Sequence, residues 1–299
     1  MTTNPEYRGR FAPSPTGLLH FGSLVAAVGS YLDAKHHQGR WLVRIEDIDL
    51  PRAIPKIADV ILFTLERFGM EWDEIVLYQS QRNPYYQAAI EQLAQQGLVY
   101  PCACSRKEIA DSSIIGINGP IYQGTCLEYP PAGNSAHALR IRTHDEPVAF
   151  CDRLMGQCSQ QLKSQIGDFV LRRADGIYAY QLAVVVDDAA QHISHVVRGA
   201  DLLDSTPRQI FLQQLLGVET PHYMHLPVVI NAQGQKLSKQ TLATPLDPHD
   251  VLVQLSDAVR FLGQNPPKEI TQGNVDAFWQ WATQNWRSEQ IPVHASQMW

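Results

Sequence analysis

The sequence predicts an α/β protein: a parallel sheet covered by helices, split by an inserted module and followed by a small helical C-terminal region. Three observations carry this. Short strand-like runs alternate with segments whose apolar residues recur at helical spacing, the order of a parallel sheet with crossover helices. Residues 98 to about 165 interrupt that order with cysteines, Gly/Pro turns and short strand-like pieces. After Leu246 the pattern is helical alone.

Taken in order, Arg10 to Gly17 reads as a short strand running into a Pro/Gly turn. A helix is expected from near Leu19, where Leu24, Val25, Val28, Tyr31 and Leu32 share one face. Trp41 to Ile45 reads as a strand ending in the acidic residues Glu46, Asp47 and Asp49. Pro55 suits a first helical turn, and Ile57, Ile61, Leu62, Leu65 and Phe68 mark an apolar face behind it. A further helix is predicted over Asn83 to Gln96, with Gly97 as its stop. Inside the interruption, Ala138 to Arg142 is strand-like. Beyond it, Tyr178 to Val186 is strand-like, although the same apolar run could start a helix. His195 to Arg198 reads as a strand end, and Pro207 to Leu216 as a helix stopped by Gly217. Leu226 to Ile230 reads as a strand before a turn over Asn231 to Gly234. Val251, Leu252, Leu255, Val259 and Leu262 form one helical stripe, and Trp279, Trp281, Trp286 and Trp299 read as core anchors of the helical tail.

With 299 residues, the chain can hold one large domain or two to three modest ones. Its hydrophobic fraction of 44% and charged fraction of 18% are those of a folded protein. The longest apolar runs, such as Leu182 to Val186, are too short to span a bilayer, and Met1 to Arg10 lacks the apolar stretch of a secretory signal. A cytoplasmic monomer with no membrane partner is the expectation. A net charge of −6 argues mildly against nucleic-acid binding, but a basic face can sit on an acidic protein. Five cysteines, three of them between Cys102 and Cys126, suit a metal cluster plus stray thiols better than a disulfide scaffold.

Three constellations carry chemistry. In Ala12-Pro-Ser-Pro-Thr-Gly17-Leu-Leu-His20-Phe-Gly22-Ser23, a turn delivers His20 and Gly22 to a helix N-terminus. Unsatisfied N–H groups and the positive helix end there suit a triphosphate. Gly22 lets a nucleoside lie close to backbone, and His20 can donate to phosphate. A His near a Gly, taken alone, is an ordinary turn; the whole run is not. The second constellation is Lys236-Leu-Ser-Lys239-Gln240, whose two lysines can neutralise charge on a leaving pyrophosphate. Read alone, it is a solvated loop. The third is Cys102, Cys104 and Cys126, a thiolate density that favours Zn²⁺. Its fourth ligand is left open by the spacing, with His137 one candidate. Cys151 and Cys158 read as small core or strand residues. The fold expected is thus a Rossmann-like parallel sheet split by an inserted zinc-bearing module.

The first two constellations resemble the signature motifs of class I aminoacyl-tRNA synthetases. The flanking runs narrow the resemblance to the glutamyl branch: Arg10-Phe-Ala-Pro-Ser-Pro-Thr-Gly17, Leu42-Val-Arg-Ile-Glu46-Asp47-Ile-Asp49, Tyr180-Gln-Leu-Ala-Val-Val-Val-Asp187-Asp188 and Val197-Arg198-Gly-Ala-Asp201. It covers roughly residues 8 to 245. It implies two halves of an ATP-binding catalytic domain over 1–100 and 171–240, an inserted zinc and acceptor-binding module over 101–170, and a helical region over 241–299. It implies ATP binding by Pro15, Thr16, Gly17, His20, Gly22, Ser23, Lys236, Ser238 and Lys239, with His20, Lys236 and Lys239 catalytic. Mg²⁺ is expected on the triphosphate. L-glutamate would be held by Arg10 and Arg198 on its carboxylates, Glu46 on its α-ammonium, and Tyr180 and Ser14 through hydroxyls, with Asp201 near the ribose or amino group. Such guanidinium forks select a carboxylate over an amide. The family's Cys-x-Cys…Tyr-x-x-x-Cys pattern points to Tyr122 as the fourth metal ligand.

About 60 residues follow Lys239, which leaves no room for a conventional anticodon-binding domain. This truncated form resembles the glutamyl-queuosine tRNA(Asp) synthetases. That resemblance implies tRNA-independent glutamate activation, then transfer to the cyclopentene-diol of queuosine at the wobble position of tRNA(Asp). The rivals are ordinary aminoacylation of tRNA(Glu), glutaminyl activation, and a non-catalytic binder of adenylate or RNA. Two departures from the wider glutamyl pattern stand out: Leu202-Leu203 where Trp is usual, and Gln240 in the lysine loop.

Overall fold

The computed structural model describes residues 6–49, 53–112, 114–117, 119–132, 136–231, 233–237 and 244–298. Its first part runs β1 (Arg8–Phe11), α1 (Phe21–His36), β2 (Arg40–Ile45), α2 (Ile57–Arg67), β3 (Leu77–Tyr78) and α3 (Asn83–Gln95). β1, β2 and β3 lie side by side and parallel, with Arg10 opposite Leu42. The expected helix after the Pro/Gly turn starts at Phe21, two residues later than the apolar spacing suggests, because His20 caps it. The His20 ring accepts the Ser23 N–H at 3.3 Å while the Ser23 hydroxyl accepts the His20 N–H at 2.7 Å, a reciprocal cap. Gly97, with φ +72°, takes the left-handed turn that ends α3.

The middle of the chain holds β4 (Val99–Cys102), α4 (Arg106–Ser112), β5 (Ile115–Gly116), β6 (Gly119–Pro120), α5 (Thr125–Glu128), β7 (Ala138–Ile141), β8 (Pro147–Asp152), β9 (Gly156–Gln161), α6 (Leu162–Gln165) and β10 (Phe169–Arg172). Here pairing is antiparallel: β10–β7–β4 form one sheet through long connections, and β8 and β9 form a hairpin joined by a short turn. That hairpin docks on the second parallel unit, Asp152 facing Tyr223. Cys151, expected to be a core or strand residue, lies in β8 but is exposed, because it falls on the strand's outer face.

The last part runs α7 (Tyr180–Ala190), β11 (His195–Gly199), α8 (Thr206–Leu216), β12 (His222–Leu226), β13 (Val228–Ile230), α9 (Val251–Phe261), α10 (Lys268–Thr271), α11 (Val275–Asn285) and β14 (Ser296–Met298). The strand-like reading of Tyr178 to Val186 gives way to the helix α7, packed between the sheet and its neighbours. The expected strand Leu226 to Ile230 breaks at Pro227, which has no N–H to donate. β12 pairs with β11 and β13 with β14, so the tail is not wholly helical. β11 begins beside β1, the Ser194 N–H donating to the Arg8 carbonyl at 3.0 Å, and the two parallel units meet there.

Two large apolar cores result among the described residues, beside a small cluster of Tyr100, Cys102, Tyr122 and Cys126. One joins α1, β1, β2 and α2 to α9 and α11; the other joins α3, α7 and α8 around Ile141 and Leu171. Trp279 and Trp286 are buried in the first core and Trp281 packs against it, while Trp299 lies outside the described residues. Among the described residues, no helix is long and apolar enough to cross a membrane.

Candidate active site

A cavity of about 1490 Å³ opens where the C-terminal ends of β1, β2 and β11 meet the N-termini of α1 and α7. This is the crevice where open parallel sheets hold ligands. Of the residues read from the sequence, Arg10, Ser14, Pro15, Thr16, His20, Gly22, Ser23, Glu46, Tyr180, Arg198, Asp201 and Lys236 line it, whereas Gly17 does not. Ser238, Lys239 and Gln240 lie outside the described residues.

At one end sits the start of α1. Because His20 Nδ1 accepts from Ser23, the ring proton falls on Nε2. A Cβ at Gly22 would lie 3.3 Å from the His20 ring and 3.4 Å from the Leu237 carbonyl, so the bare backbone makes room for both. On either side of residues 238–243, the Leu237 N–H donates to the Val229 carbonyl at 2.8 Å, and the Leu246 N–H to the Leu19 carbonyl at 3.0 Å. Lys236 Nζ reaches Asp201 at 2.6 Å across the cavity mouth.

The other end is a buried ionic cluster. Asp188 accepts from Arg10 Nε at 3.1 Å and Arg44 Nη1 at 2.7 Å. Burial would raise the Asp188 carboxyl, but these two charges hold it below the ordinary carboxylate value. Arg10 spends Nε and Nη2 on Asp188, which aims its remaining edge at the cavity. Among the described residues, Glu46 meets the far end of Arg44, at 3.4 Å, and burial pushes its carboxyl up despite Arg44 and Arg10. A buried carboxylate so weakly compensated suits a cationic ligand.

Arg198 is oriented by a chain the sequence did not flag. The parallel register sets Arg198 opposite His225, and Tyr223 opposite Asp152. Arg198 Nε lies 3.0 Å from His225 Nε2, and His225 Nδ1 lies 2.6 Å from Asp152 Oδ2. A guanidinium only donates, so His225 Nε2 accepts, and the ring proton on Nδ1 is donated to Asp152. Burial, overriding the Asp152 bond and helped by the Arg198 charge, lowers His225 below its ordinary value and keeps it neutral. Arg198 Nη2 donates to Thr206 Oγ1 at 2.7 Å, leaving Nη1 toward Tyr180 Oη, 3.4 Å away. Asp188 fell within a quoted motif without a role, whereas Asp152 and His225 stood in runs with no chemical signature.

At the rim of this cavity, which Cys104 lines, Cys102, Cys104 and Cys126 bring their sulfurs within 4.8 Å of one another, a group that could hold a metal ion. Tyr122 Oη lies 3.3 Å from Cys102 Sγ and 3.7 Å from Cys104 Sγ. His137 is not part of the group.

A family model for class I tRNA synthetases (E and Q), catalytic domain, matches residues 6–261. The chain is 57% identical over 291 residues to the glutamyl-Q tRNA(Asp) synthetase of Dechloromonas aromatica (strain RCB), covering 97% of each. The chain belongs to the glutamyl-Q tRNA(Asp) synthetase family. A second member, from Chromobacterium violaceum, is 51% identical and covers 99% of both chains. Among solved structures, glutamate-tRNA synthetase from Elizabethkingia anophelis superposes with a TM-score of 0.79 at 23% identity, over 98% of this chain and 68% of that one. That likeness is one of fold, and it agrees with the class I catalytic fold that the family model describes.

Proposed function

We propose that the chain activates L-glutamate with ATP, without tRNA, and transfers it to the cyclopentene-diol of queuosine at the wobble position of tRNA(Asp). One observation carries the first step: Arg10, Arg198 and Glu46 converge, two cations and one buried anion, on the cavity that also holds His20 and Lys236. Two guanidinium edges for carboxylates and one carboxylate for an ammonium are the complement of an acidic amino acid. In the first step a glutamate α-carboxylate oxygen attacks the α-phosphorus, the bond to the bridging oxygen breaks, and pyrophosphate leaves. No protein nucleophile takes part. The chain contributes orientation and charge: the α1 N-terminus and His20 Nε2–H on the phosphates, and Lys236 on the leaving group. Mg²⁺ bound to the triphosphate would add charge neutralisation. In the second step a hydroxyl of the queuosine diol attacks the acyl carbon and AMP departs.

Three thiols and the Tyr122 phenol fit one tetrahedral ion, and their softness suits Zn²⁺. Its chemistry there would be structural, clamping β4 to α5. Metal analysis of the purified protein should find about one zinc per chain, lost in Cys102→Ser, with lower thermal stability.

The test of function has two arms. Glutamate-dependent ATP–pyrophosphate exchange should proceed without tRNA. Labelled glutamate should then pass to queuosine-bearing tRNA(Asp), and to neither unmodified tRNA(Asp) nor tRNA(Glu). Periodate-sensitive label on the 3′ end of tRNA(Glu) would overturn the acceptor and favour ordinary aminoacylation.

A further inference from the structure

Beside the main cavity lies a second of about 330 Å³, the two sharing a wall of Arg106, Ile109, Arg140 and Val170. Its charge is one-sided. Arg106 from α4, Arg140 from β7 and Arg208 from α8 line it, against the single carboxylate of Asp168. That carboxylate is already engaged: it accepts from the Tyr100 hydroxyl at 2.6 Å and the Thr143 N–H at 2.8 Å, and pairs with Lys163 at 3.2 Å. Among the described residues, none of the three arginines has a carboxylate partner. Arg140 is only 9% exposed and stacks 4.1 Å from the centre of the Tyr122 ring, yet its Nε has no hydrogen-bond partner. The buried Nε of Arg208 has none either.

Arg140 Nη1 donates to the Asp168 carbonyl at 2.7 Å and Arg208 Nη2 to Ser205 Oγ at 3.3 Å, so the two are only partly satisfied, and by neutral groups. In a chain of net charge −6, three guanidiniums without a carboxylate partner around one cavity point to an anionic ligand. Unpaired buried N–H donors on cations call for an anion with several acceptor oxygens, and planar guanidinium edges match phosphate. The shared wall selects among phosphates: an anion seated here lies beside whatever molecule enters the main cavity. We propose that this second cavity is a backbone-phosphate subsite for the acceptor RNA, seating a nucleotide beside the one that is glutamylated. It rests on the transfer step proposed above. Such a contact fixes the position of the RNA without reading its sequence, and so adds salt-dependent affinity and register.

The experiment measures the affinity of queuosine-bearing tRNA(Asp) for the full chain by fluorescence anisotropy over a range of salt. Arg208→Gln and Arg106→Ala should each weaken binding about tenfold near 0.1 M salt. Each should also flatten the slope of log affinity against log salt by about 0.7. Arg208→Gln should leave the exchange KM values for glutamate and ATP unchanged. Arg106 is exposed on α4, so its variant carries the test even if Arg208→Gln misfolds. Unchanged affinity and slope in the double variant would overturn the proposal, as would loss of exchange in a folded Arg208→Gln protein, which would put Arg208 in the adenylation step. A wild-type protein that performs no exchange would instead sink the activation reading, while the anisotropy would still judge the cavity.

Discussion

Arg198 is held beside the cavity by a neutral imidazole on its Nε and by Thr206 on its Nη2. The Asp152–His225–Arg198 chain has a testable direction. Asp152→Ala strands the His225 Nδ1 proton and frees the ring to turn, so the glutamate KM in exchange should rise about tenfold while the ATP KM stays put. Asp152→Asn keeps an acceptor oxygen and should recover most of the loss; equal damage in both would refute the orienting role. The pH dependence follows from His225. Its folded value lies below the ordinary one of about 6.5, so the unfolded chain takes the proton first. The bond to Arg198 therefore contributes fully above about pH 6.5 and is lost as pH falls through the lower folded value. A glutamate KM that climbs on the acid side of about 6.5 in the wild type, but not in His225→Gln, is the expected profile. Arg198 itself was legible because it stands in a motif run. His225 was not: the strand around it, Tyr223 to Leu226, gives no hint that its register partner is the cavity-lining Arg198.

At the scale of elements, what was legible had punctuation. Gly97 and Gly217 stop α3 and α8 with φ of +72° and +68°, as their place after apolar stripes suggests. α7 was ambiguous for a physical reason. It is buried on several sides, so Leu182, Ala183, Val184 and Val185 all face protein and the run shows no helical period. β14 was invisible because its partner strand lies 68 residues earlier, Ile230 opposite Met298, a pairing shown by register rather than by any alternation in the tail. The joint between α1 and β2 makes a sharp prediction. A Cβ at Gly39 would lie 2.3 Å from the Tyr7 carbonyl, whose oxygen accepts the Arg40 N–H at 2.8 Å. Gly39→Ala must push backbone from backbone at the first strand crossover. It should cost about 1–3 kcal/mol, seen as a lower urea midpoint with an unchanged slope. An unshifted midpoint would show that the joint yields freely.

Over the whole molecule, α1 is where distant segments are tied. Asp33, fully buried on α1, accepts from Tyr7 Oη ahead of β1, from Arg153 at the tip of the β8–β9 hairpin, and from Trp286 Nε1 at 3.1 Å beyond α11. Burial would raise the Asp33 carboxyl, but Arg153, Tyr7 and Trp286 hold it below its ordinary value. The sign is that of a depressed acid: its contribution is present above the ordinary carboxylate range and is lost as pH falls through the folded value. The same helix carries the His20 cap at its other end, so the node that fastens the hairpin and the tail also braces the end of the cavity that His20 lines. Asp33→Ala would leave Arg153 without its buried partner and release Trp286, a loss of about 3–5 kcal/mol. Because Trp279, Trp281 and Trp286 all sit in the tail, their fluorescence should report the change directly. The expected result is a lower thermal midpoint together with red-shifted tryptophan emission before the far-ultraviolet signal melts, because the tail undocks first. If fluorescence and circular dichroism still melt together at the wild-type midpoint, Asp33 is a local bond and not the tie between the halves of the chain.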